Sequence, residues 1–223
     1  MKPKELAKFI DHTNVKPTAR ERDIKKLCEE AKKYGFHSVC VTPSRVKLAK
    51  KFLKGSKIKV ITVIGFPFGF TTPATKAFET KEAVKNGADE IDMVVNIGAV
   101  KDHDWDLVLK DIKEVVKAAK PKEVKVILEV GFLTKAEIIK TCKLAKQAGA
   151  KFVKTATGYG PRGAKITDIK LMRKAVGKEM GVKASGGIRD FKKALSMIQA
   201  GATRIGSSNG VSIIKGKKGK EKY

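Results

Sequence analysis

Along the chain, short apolar runs alternate with longer segments in which apolar residues recur every three or four positions. The first pattern is typical of β-strands and the second of helices that pack one face on a sheet. Eight strands are predicted, over residues 10–13, 37–42, 59–65, 90–96, 125–130, 152–156, 182–185 and 203–206. Six helices are predicted, over residues 19–34, 73–86, 104–119, 135–148, 167–176 and 191–200. This alternation in 223 residues predicts an α/β protein, a single (β/α)₈ TIM barrel, with a doubly wound open sheet as the alternative.

Three predicted helices end in the same way. Gly87, Gly149 and Gly201 each follow a helix and precede an alanine and a strand. Glycine adopts the left-handed conformation that closes many helices, and alanine allows close packing below the next strand. No change in composition marks a linker. We therefore expect one barrel domain over residues 1–213, followed by a flexible, lysine-rich tail over residues 214–223.

Composition limits the cellular setting and the kinds of site. Hydrophobic residues make up 42% of the chain, and no apolar run reaches the length of a membrane helix. The first residues lack the apolar core of a signal peptide. The odd set of Cys28, Cys40 and Cys142 argues against a disulfide framework or a cysteine-rich zinc site. We expect a protein of the reducing cytoplasm that does not bind a membrane.

The charge balance is strongly basic, with a formal net charge of +26. Such a field attracts anions, including phosphorylated metabolites and nucleic acids. Of the 49 basic residues only seven are arginine, and aromatic residues make up 6% of the chain. Specific nucleic-acid sites usually add arginine forks or aromatic platforms. The composition therefore favours a lysine-rich solvated surface, and no specific nucleic-acid partner is expected.

Two lysines stand apart from the others because each lies near the end of a predicted strand and precedes a glycine turn. They are Lys154, before Gly158, and Lys183, before Gly186. An ammonium group in a short β-like run is costly to bury without a reason. A desolvated lysine beside a second cation gives up its proton more readily and becomes a nucleophilic amine. Carbonyl chemistry through a Schiff base is the resulting hypothesis.

Other polar residues share the predicted inward faces of these strands. Side chains alternate along a strand, so Asp92, Lys125 and Glu129 join Lys154 and Lys183 if those faces point into the barrel. In a (β/α)₈ barrel, chemistry lies at the carboxyl ends of the strands. A structural ion pair is the alternative interpretation, but several polar groups at consecutive strand ends favour an active site.

Glycines and hydroxyl residues follow the last three strands. Such segments let backbone N–H groups approach an anion, and the last strands of these barrels often hold a phosphate. The combination predicts a phosphate site. Its candidate residues are Gly158, Gly186, Gly187, Arg189, Gly206, Ser207 and Ser208.

Two other site types are rejected. Residues 158–163 fit G-x-G-x-x-G, but Pro161 interrupts the tight strand–turn–helix unit that a dinucleotide site requires. The three histidines, His12, His37 and His103, lack the spacing of metal ligands.

Several segments taken together resemble the deoxyribose-phosphate aldolase family. The resemblance runs from about Asp11 to about Gly210. The segments that carry it are Asp11-His12-Thr13 and residues 39–43, 63–67, 90–96, 152–158 and 182–189.

The resemblance implies a (β/α)₈ class I aldolase that uses no metal or other cofactor. It would reversibly cleave 2-deoxy-D-ribose 5-phosphate, a phosphosugar, to acetaldehyde and D-glyceraldehyde 3-phosphate in deoxyribonucleotide catabolism. By resemblance, Lys154 is the Schiff-base nucleophile, Lys183 is its neighbouring cation and Asp92 is the general acid and base. The implied supporting residues are Asp11, Thr13 and Lys125. The implied phosphate cradle is Gly158, Gly186, Gly187, Arg189, Gly206 and Ser208.

Four positions need comment beside the family pattern. Ala156 stands where a serine is usual, and Asn209 replaces the second serine of a Ser-Ser pair. Cys40 matches a cysteine that reactive aldehydes trap in some relatives. Some relatives also end in a tyrosine that assists proton transfer, so one hypothesis is that Tyr223 reaches the site; the alternative, more common for a charged tail, is that it stays solvated.

Alternatives remain at this point. One is another phosphosugar enzyme with a Schiff-base lysine that acts on a longer ketose or an amino-sugar precursor. Another is a non-catalytic basic protein that binds nucleic acid on a barrel scaffold. Barrels of this kind often self-associate, so a homo-oligomer, dimer or tetramer, is expected.

Overall fold

The sheet of the protein is a closed barrel of parallel strands. A computed structural model describes residues 1–220. Eight strands pair in chain order, and the last pairs with the first. This arrangement confirms the (β/α)₈ barrel and excludes the open sheet. The strands are β1 (Ile10–Asn14), β2 (Ser38–Val41), β3 (Lys59–Ile64), β4 (Glu90–Val94), β5 (Glu123–Ile127), β6 (Phe152–Lys154), β7 (Gly181–Ser185) and β8 (Arg204–Ser207).

Helices surround the barrel and include all six that the periodicity predicts. The described helices are α1 (Pro3–Ala7), α2 (Glu21–Tyr34), α3 (Val46–Phe52), α4 (Pro73–Lys85), α5 (Ile97–Lys101), α6 (Trp105–Ala119), α7 (Lys135–Gln147), α8 (Ile166–Val176), α9 (Phe191–Gln199) and α10 (Gly210–Ile214). A 3₁₀ turn, Pro43–Arg45, precedes α3. The helices that the periodicity missed have five to seven residues, too few to show a helical repeat.

Several predicted strands run one or two residues beyond the observed ones. The backbone pairing continues there, although the regular strand has ended. For example, Val95 N donates to Ile127 O at 3.1 Å, and Thr155 N donates to Lys183 O at 3.1 Å. The predicted segments therefore describe the extended backbone that leads each strand into the barrel mouth.

The predicted helix-to-strand turns are confirmed. Gly87, Gly149 and Gly201 have φ values of 104°, 87° and 113°, which L side chains rarely adopt. In each turn the following alanine closes the helix through its N–H group; Ala88 N, for example, donates to Ala83 O at 3.0 Å.

The two sides of the sheet differ in polarity. Residues paired across neighbouring strands point to the same side, and the register places Asp92 beside Lys125 and Lys154 beside Lys183. The opposite side packs on the helices. Its buried residues include Ile10, Val39, Val41, Val60, Ile64, Ile91, Met93, Val124, Val126, Val153, Val182, Ala184 and Ile205. The chain thus builds its apolar core between barrel and helices and leaves the barrel interior for charged side chains.

A buried ion pair links β4 to two helices. Lys76 of α4 and Asp111 of α6 are both fully buried, with Lys76 Nζ 2.7 Å from Asp111 Oδ2. Lys76 Nζ also donates to Val94 O at 2.9 Å, and Asn96 N donates to the same Asp111 oxygen at 3.1 Å. The pair therefore holds the carboxyl end of the strand that carries Asp92.

The chain after β8 packs against the barrel up to the end of the described part. Helix α10 crosses the expected domain boundary at residue 213, and Gly219 N donates to Arg189 O at 2.8 Å. Tyr223 lies outside the described residues. No helix within residues 1–220 is long and apolar enough to cross a membrane.

Replacing Lys76 by methionine should lower the free energy of unfolding by about 3–5 kcal/mol, because Asp111 then loses its only described cation partner in a dry site. Urea denaturation at neutral pH measures this. The control is Lys50→Met in the surface pair with Asp89, where Lys50 is 42% exposed, and the loss there should stay below about 1 kcal/mol. Equal losses in the two variants would contradict the role given to the buried pair.

Candidate active site

One carboxylate lies at the centre of the barrel interior. Asp92 Oδ2 accepts hydrogen bonds from Lys154 Nζ at 2.9 Å and from Lys183 Nζ at 2.8 Å. Its other oxygen, Oδ1, lies 3.0 Å from Lys125 Nζ. The structure therefore brings together four of the five charged residues that the predicted strand faces place at the mouth; Glu129 is the fifth.

A second layer of charges completes this network. Lys183 Nζ lies 2.5 Å from Asp11 Oδ2, and Lys125 Nζ lies 2.6 Å from Glu90 Oε2. Arg204 joins both acids, with its Nη1 atom 3.1 Å from Asp11 Oδ1 and 3.5 Å from Glu90 Oε2. Asp11 thus holds Lys183, and Glu90 holds Lys125. These contacts agree with the prediction that Asp11 and Lys125 belong to the polar network around the reactive lysine.

The acids in this network are ionised. Burial alone raises the pKa of Asp92, but the ammonium groups of Lys125, Lys154 and Lys183 outweigh burial and hold that pKa well below its usual range. The same balance lowers the pKa of Asp11, where burial is outweighed chiefly by Lys183 and Arg204. Both carboxylates are therefore acceptors at neutral pH.

The three lysines differ in their access and their partners. Lys125 and Lys183 are 0% exposed and each touches two carboxylates, whereas Lys154 is 5% exposed. Within the described chain, the carboxylate within 4 Å of Lys154 Nζ is Asp92 alone. Burial opposes the charge on Lys183, but Asp11 and Asp92 raise its pKa well above the usual range. Lys183 stays a cation, and Lys154 is the lysine that a small molecule reaches.

The glycine segments after β6 and β7 are in contact. Ala164 N donates to Gly186 O at 3.1 Å, and a side chain on Gly163 would collide with that carbonyl. Gly186 and Gly187 have φ values of 89° and 69°. The predicted cradle residues Gly158, Gly186, Gly187, Arg189 and Ser208 therefore follow three adjacent strands at one end of the barrel, and Gly206 lies in the last of these strands, β8.

Position 156 lies in this contact region. Ala156 is fully buried, and its Cβ would lie 3.3 Å from a Cβ on Gly186. Its carbonyl accepts a hydrogen bond from Ser185 Oγ at 2.6 Å. The side chain at position 156 thus lies directly against Gly186.

Thr13 in β1 and Cys40 in β2 are paired neighbours in the barrel wall. Thr13 Oγ1 donates to Asp11 O at 2.9 Å, so it supports the backbone of an acid in the network. Cys40 is fully buried, and burial raises the pKa of its thiol to about 11. The thiol is therefore neutral beside the lysines, and it packs with Ile61 and Val63.

Within residues 1–220 Glu129 forms no ion pair with the charge network, although its strand face suggested that it belongs there; burial raises the pKa of its carboxyl group, and Lys154 and Arg162 act in the opposite sense from beyond ion-pair distance. Regular strand β5 ends at Ile127, and Glu129 takes a left-handed φ of 53°. Its carboxylate then turns to Thr157 N, which donates at 2.9 Å. Alternation along a strand cannot predict the direction of a side chain once the backbone leaves the strand conformation.

Glu90 and Arg204 are the network residues that the sequence-based reasoning missed. Glu90 lies two residues before Asp92, and Arg204 lies two residues before Gly206. The same period of two that places Asp92 inside the barrel also places them there. Extending each polar face back to the start of its strand would have found both.

A basic cavity of about 910 Å³ lies beside the network, between the β1–α2 connection and the chain after β8. It is separate from the catalytic candidates, since Asp92 and the three buried lysines do not line it. Thr13, Ser208 and Asn209 contribute to its walls, so it adjoins the cradle. Its cationic lining residues are Lys16, Arg20, Lys26, Lys217, Lys218 and Lys220.

Comparison with known proteins decides between the interpretations of this site. The sequence profile of the DeoC/LacD aldolases matches residues 6–216. The chain belongs to the DeoC/LacD aldolase family. A deoxyribose-phosphate aldolase of Thermococcus gammatolerans is 58% identical over 221 residues, which cover 97% of this chain and 98% of that protein. One of Aciduliprofundum boonei is 60% identical over 216 residues, covering 96% and 97%.

A solved relative agrees with the fold of this aldolase. The tetrameric deoxyribose phosphate aldolase of Aeropyrum pernix is 33% identical, with a TM-score of 0.87 over 96% of this chain and 91% of that chain. Within residues 1–220, no group of three or more His, Cys, Asp or Glu side chains is placed to hold a metal ion.

The network should make stability depend on pH in acid. Asp92 has a lowered pKa when folded, so its contribution is present above the unfolded pKa of about 4 and is lost as pH falls through the folded value. Asp92→Asn removes this contribution. Urea unfolding from pH about 6 to about 2 should therefore show a difference between wild type and variant that shrinks as pH falls. A difference that stays constant over this range would contradict the lowered pKa.

Proposed function

We propose that this aldolase cleaves 2-deoxy-D-ribose 5-phosphate to acetaldehyde and D-glyceraldehyde 3-phosphate through a Schiff base on Lys154. The observation that carries this assignment is the difference between the lysines. Lys154 alone of the three is exposed at all and has a single carboxylate partner, while Lys183 has two. The naming of relatives at 58% and 60% identity supports the substrate.

The first step needs a neutral amine. Lys154 Nζ passes a proton to Asp92 Oδ2, 2.9 Å away, and the amine attacks the aldehyde carbon C1 of the open-chain sugar. The carbinolamine loses its hydroxyl as water, with the proton returned from Asp92, and leaves a protonated imine. Lys183 is the neighbouring cation in this step and donates to the same Asp92 oxygen at 2.8 Å.

The imine is an electron sink for cleavage of the C2–C3 bond. The electron pair of that bond moves into the imine and forms an enamine, while the C3 hydroxyl loses its proton and becomes the aldehyde of glyceraldehyde 3-phosphate. Asp92 takes this proton. In the resting network Asp92 is a weak base, but conversion of Lys154 to an imine removes N–H donors from Oδ2 and frees that oxygen for the substrate.

The enamine then takes up a proton at C2, and water hydrolyses the resulting imine to release acetaldehyde and restore Lys154. Asp92 and Lys183 supply the proton relay for both steps, since they share a hydrogen bond of 2.8 Å. Asp11, Thr13 and Lys125 are positioning residues that keep this pair in place.

The substrate phosphate binds at the glycine segments after the last three strands. Backbone N–H groups at Gly158, Gly186 and Gly187 and the hydroxyl of Ser208 are the donors, and the half-buried Arg189 supplies charge. The net charge of +26 and the basic cavity beside Ser208 attract the phosphate dianion of the substrate toward the mouth of the barrel.

The enzyme acts as a homo-oligomer in the cytoplasm. The tetrameric Aeropyrum pernix aldolase supports self-association, and the three cysteines, all free and buried, fit a reducing compartment. Sedimentation velocity should give a dimer or a tetramer of the 24.3 kDa chain. A monomer at micromolar concentration would contradict the oligomer.

A retro-aldol assay with 2-deoxyribose 5-phosphate tests the proposed function. Lys154→Ala should lower kcat/KM by at least about 10³-fold because the covalent route is lost, and Lys183→Leu should lower it by about 10²-fold or more. The control is Lys151→Ala, an exposed lysine just before the same strand, which should keep wild-type activity. A Lys154→Ala variant within tenfold of wild type would contradict the assignment.

A further inference from the structure

Glu129 combines two unfavourable features that the mechanism above does not use. Its backbone has a φ of 53°, which is uncommon for a residue with a side chain, and its side chain is 1% exposed. Within residues 1–220 no lysine or arginine nitrogen lies within 4 Å of its carboxyl group. Such costs usually persist where the position has a function.

The carboxyl group of Glu129 holds the chain just after the reactive lysine. Oε2 accepts from Thr157 N at 2.9 Å and also accepts a very short hydrogen bond from Thr157 Oγ1. Thr157 Oγ1 in turn accepts from Tyr159 N at 3.0 Å. One carboxyl oxygen thus orders both sides of Gly158, whose own φ is 96°.

The other end of this loop is fixed at the next strand. Ala164 N donates to Gly186 O, and Gly163 packs directly on the same carbonyl. Between the two anchors, Gly160 passes so close to Glu129 that a Cβ would lie 2.6 Å from the carboxyl carbon. Residues 157–164 therefore form a strap, fastened by Glu129 at one end and by Gly186 at the other.

We propose that Glu129 is a positioning residue that presents the backbone of the strap, at Gly158, to the substrate phosphate. This inference rests on the proposed aldolase function. The proposal predicts a selective effect when the strap is loosened. Binding of the substrate phosphate should weaken more than the Schiff-base chemistry, because Lys154 remains fixed by Asp92 and by strand pairing.

Cleavage of 2-deoxyribose 5-phosphate and of unphosphorylated 2-deoxyribose by Glu129→Leu tests the proposal. Leucine keeps most of the volume but accepts no hydrogen bond, so KM for the phosphorylated sugar should rise about tenfold. KM for the unphosphorylated sugar and kcat for both should stay within about threefold. Glu129→Gln retains an acceptor oxygen and should restore KM for the phosphorylated sugar.

Two further variants keep the test decisive. Glu137→Leu is the matched control. Glu137 also holds a loop, since it accepts from Thr134 N at 2.6 Å, but this loop lies at the start of α7. Glu137→Leu should therefore not change the ratio of the KM values for the phosphorylated and unphosphorylated sugars. If Glu129→Leu does not fold, Thr157→Val, which removes the hydroxyl donor, should show the same selectivity to a smaller degree.

Two kinds of negative result separate the role of Glu129 from the proposed function. Equal effects on both sugars, or no effect, in the soluble variants would overturn the role of Glu129. A wild-type enzyme that cleaves neither sugar would instead overturn the proposed function itself.

Discussion

The carboxylate of Asp92, shared by three ammonium groups inside the barrel, is the interaction on which the rest of the site depends. Seven charged side chains point into this space: the cations Lys125, Lys154, Lys183 and Arg204, and the acids Asp11, Glu90 and Asp92. Buried charges are tolerated when they are paired. The four cations outnumber the three acids, and Lys154 is the cation with a single acid partner, Asp92, which it shares with Lys125 and Lys183.

Depth divides the network into an inner layer and a layer at the mouth, where the proposed catalytic residues lie. Glu90 and Arg204 lie at the starts of their strands, and the ring of Phe152 fills the space that a side chain on Gly181 would take. Arg204 lies over that ring at 5.3 Å. This inner layer fixes Asp11 and Lys125, so that Asp92 and Lys183 are held rigidly below the lysine at the mouth. The apolar packing between barrel and helices forms the frame, and the charges inside it are the groups to which the proposed mechanism assigns the chemistry.

Much of this arrangement follows from the sequence because it depends on local periods. The period of two places Lys154, Lys183 and Asp92 on one side of the sheet, and glycine after each helix sets the turns. The exact contact partners of these residues do not follow from the sequence. Glu129 leaves the strand through a left-handed residue, and the missed helices are too short for a period. The pairing of Lys76 with Asp111 depends on how α4 and α6 pack, which no local pattern contains.

Borohydride trapping followed by peptide mass spectrometry tests the central claim most directly. Reduction of the wild-type enzyme in the presence of 2-deoxyribose 5-phosphate should leave one covalent adduct, on the peptide that contains Lys154, and Lys125 and Lys183 should remain unmodified. An adduct on Lys183, or no adduct under conditions of active turnover, would contradict the account.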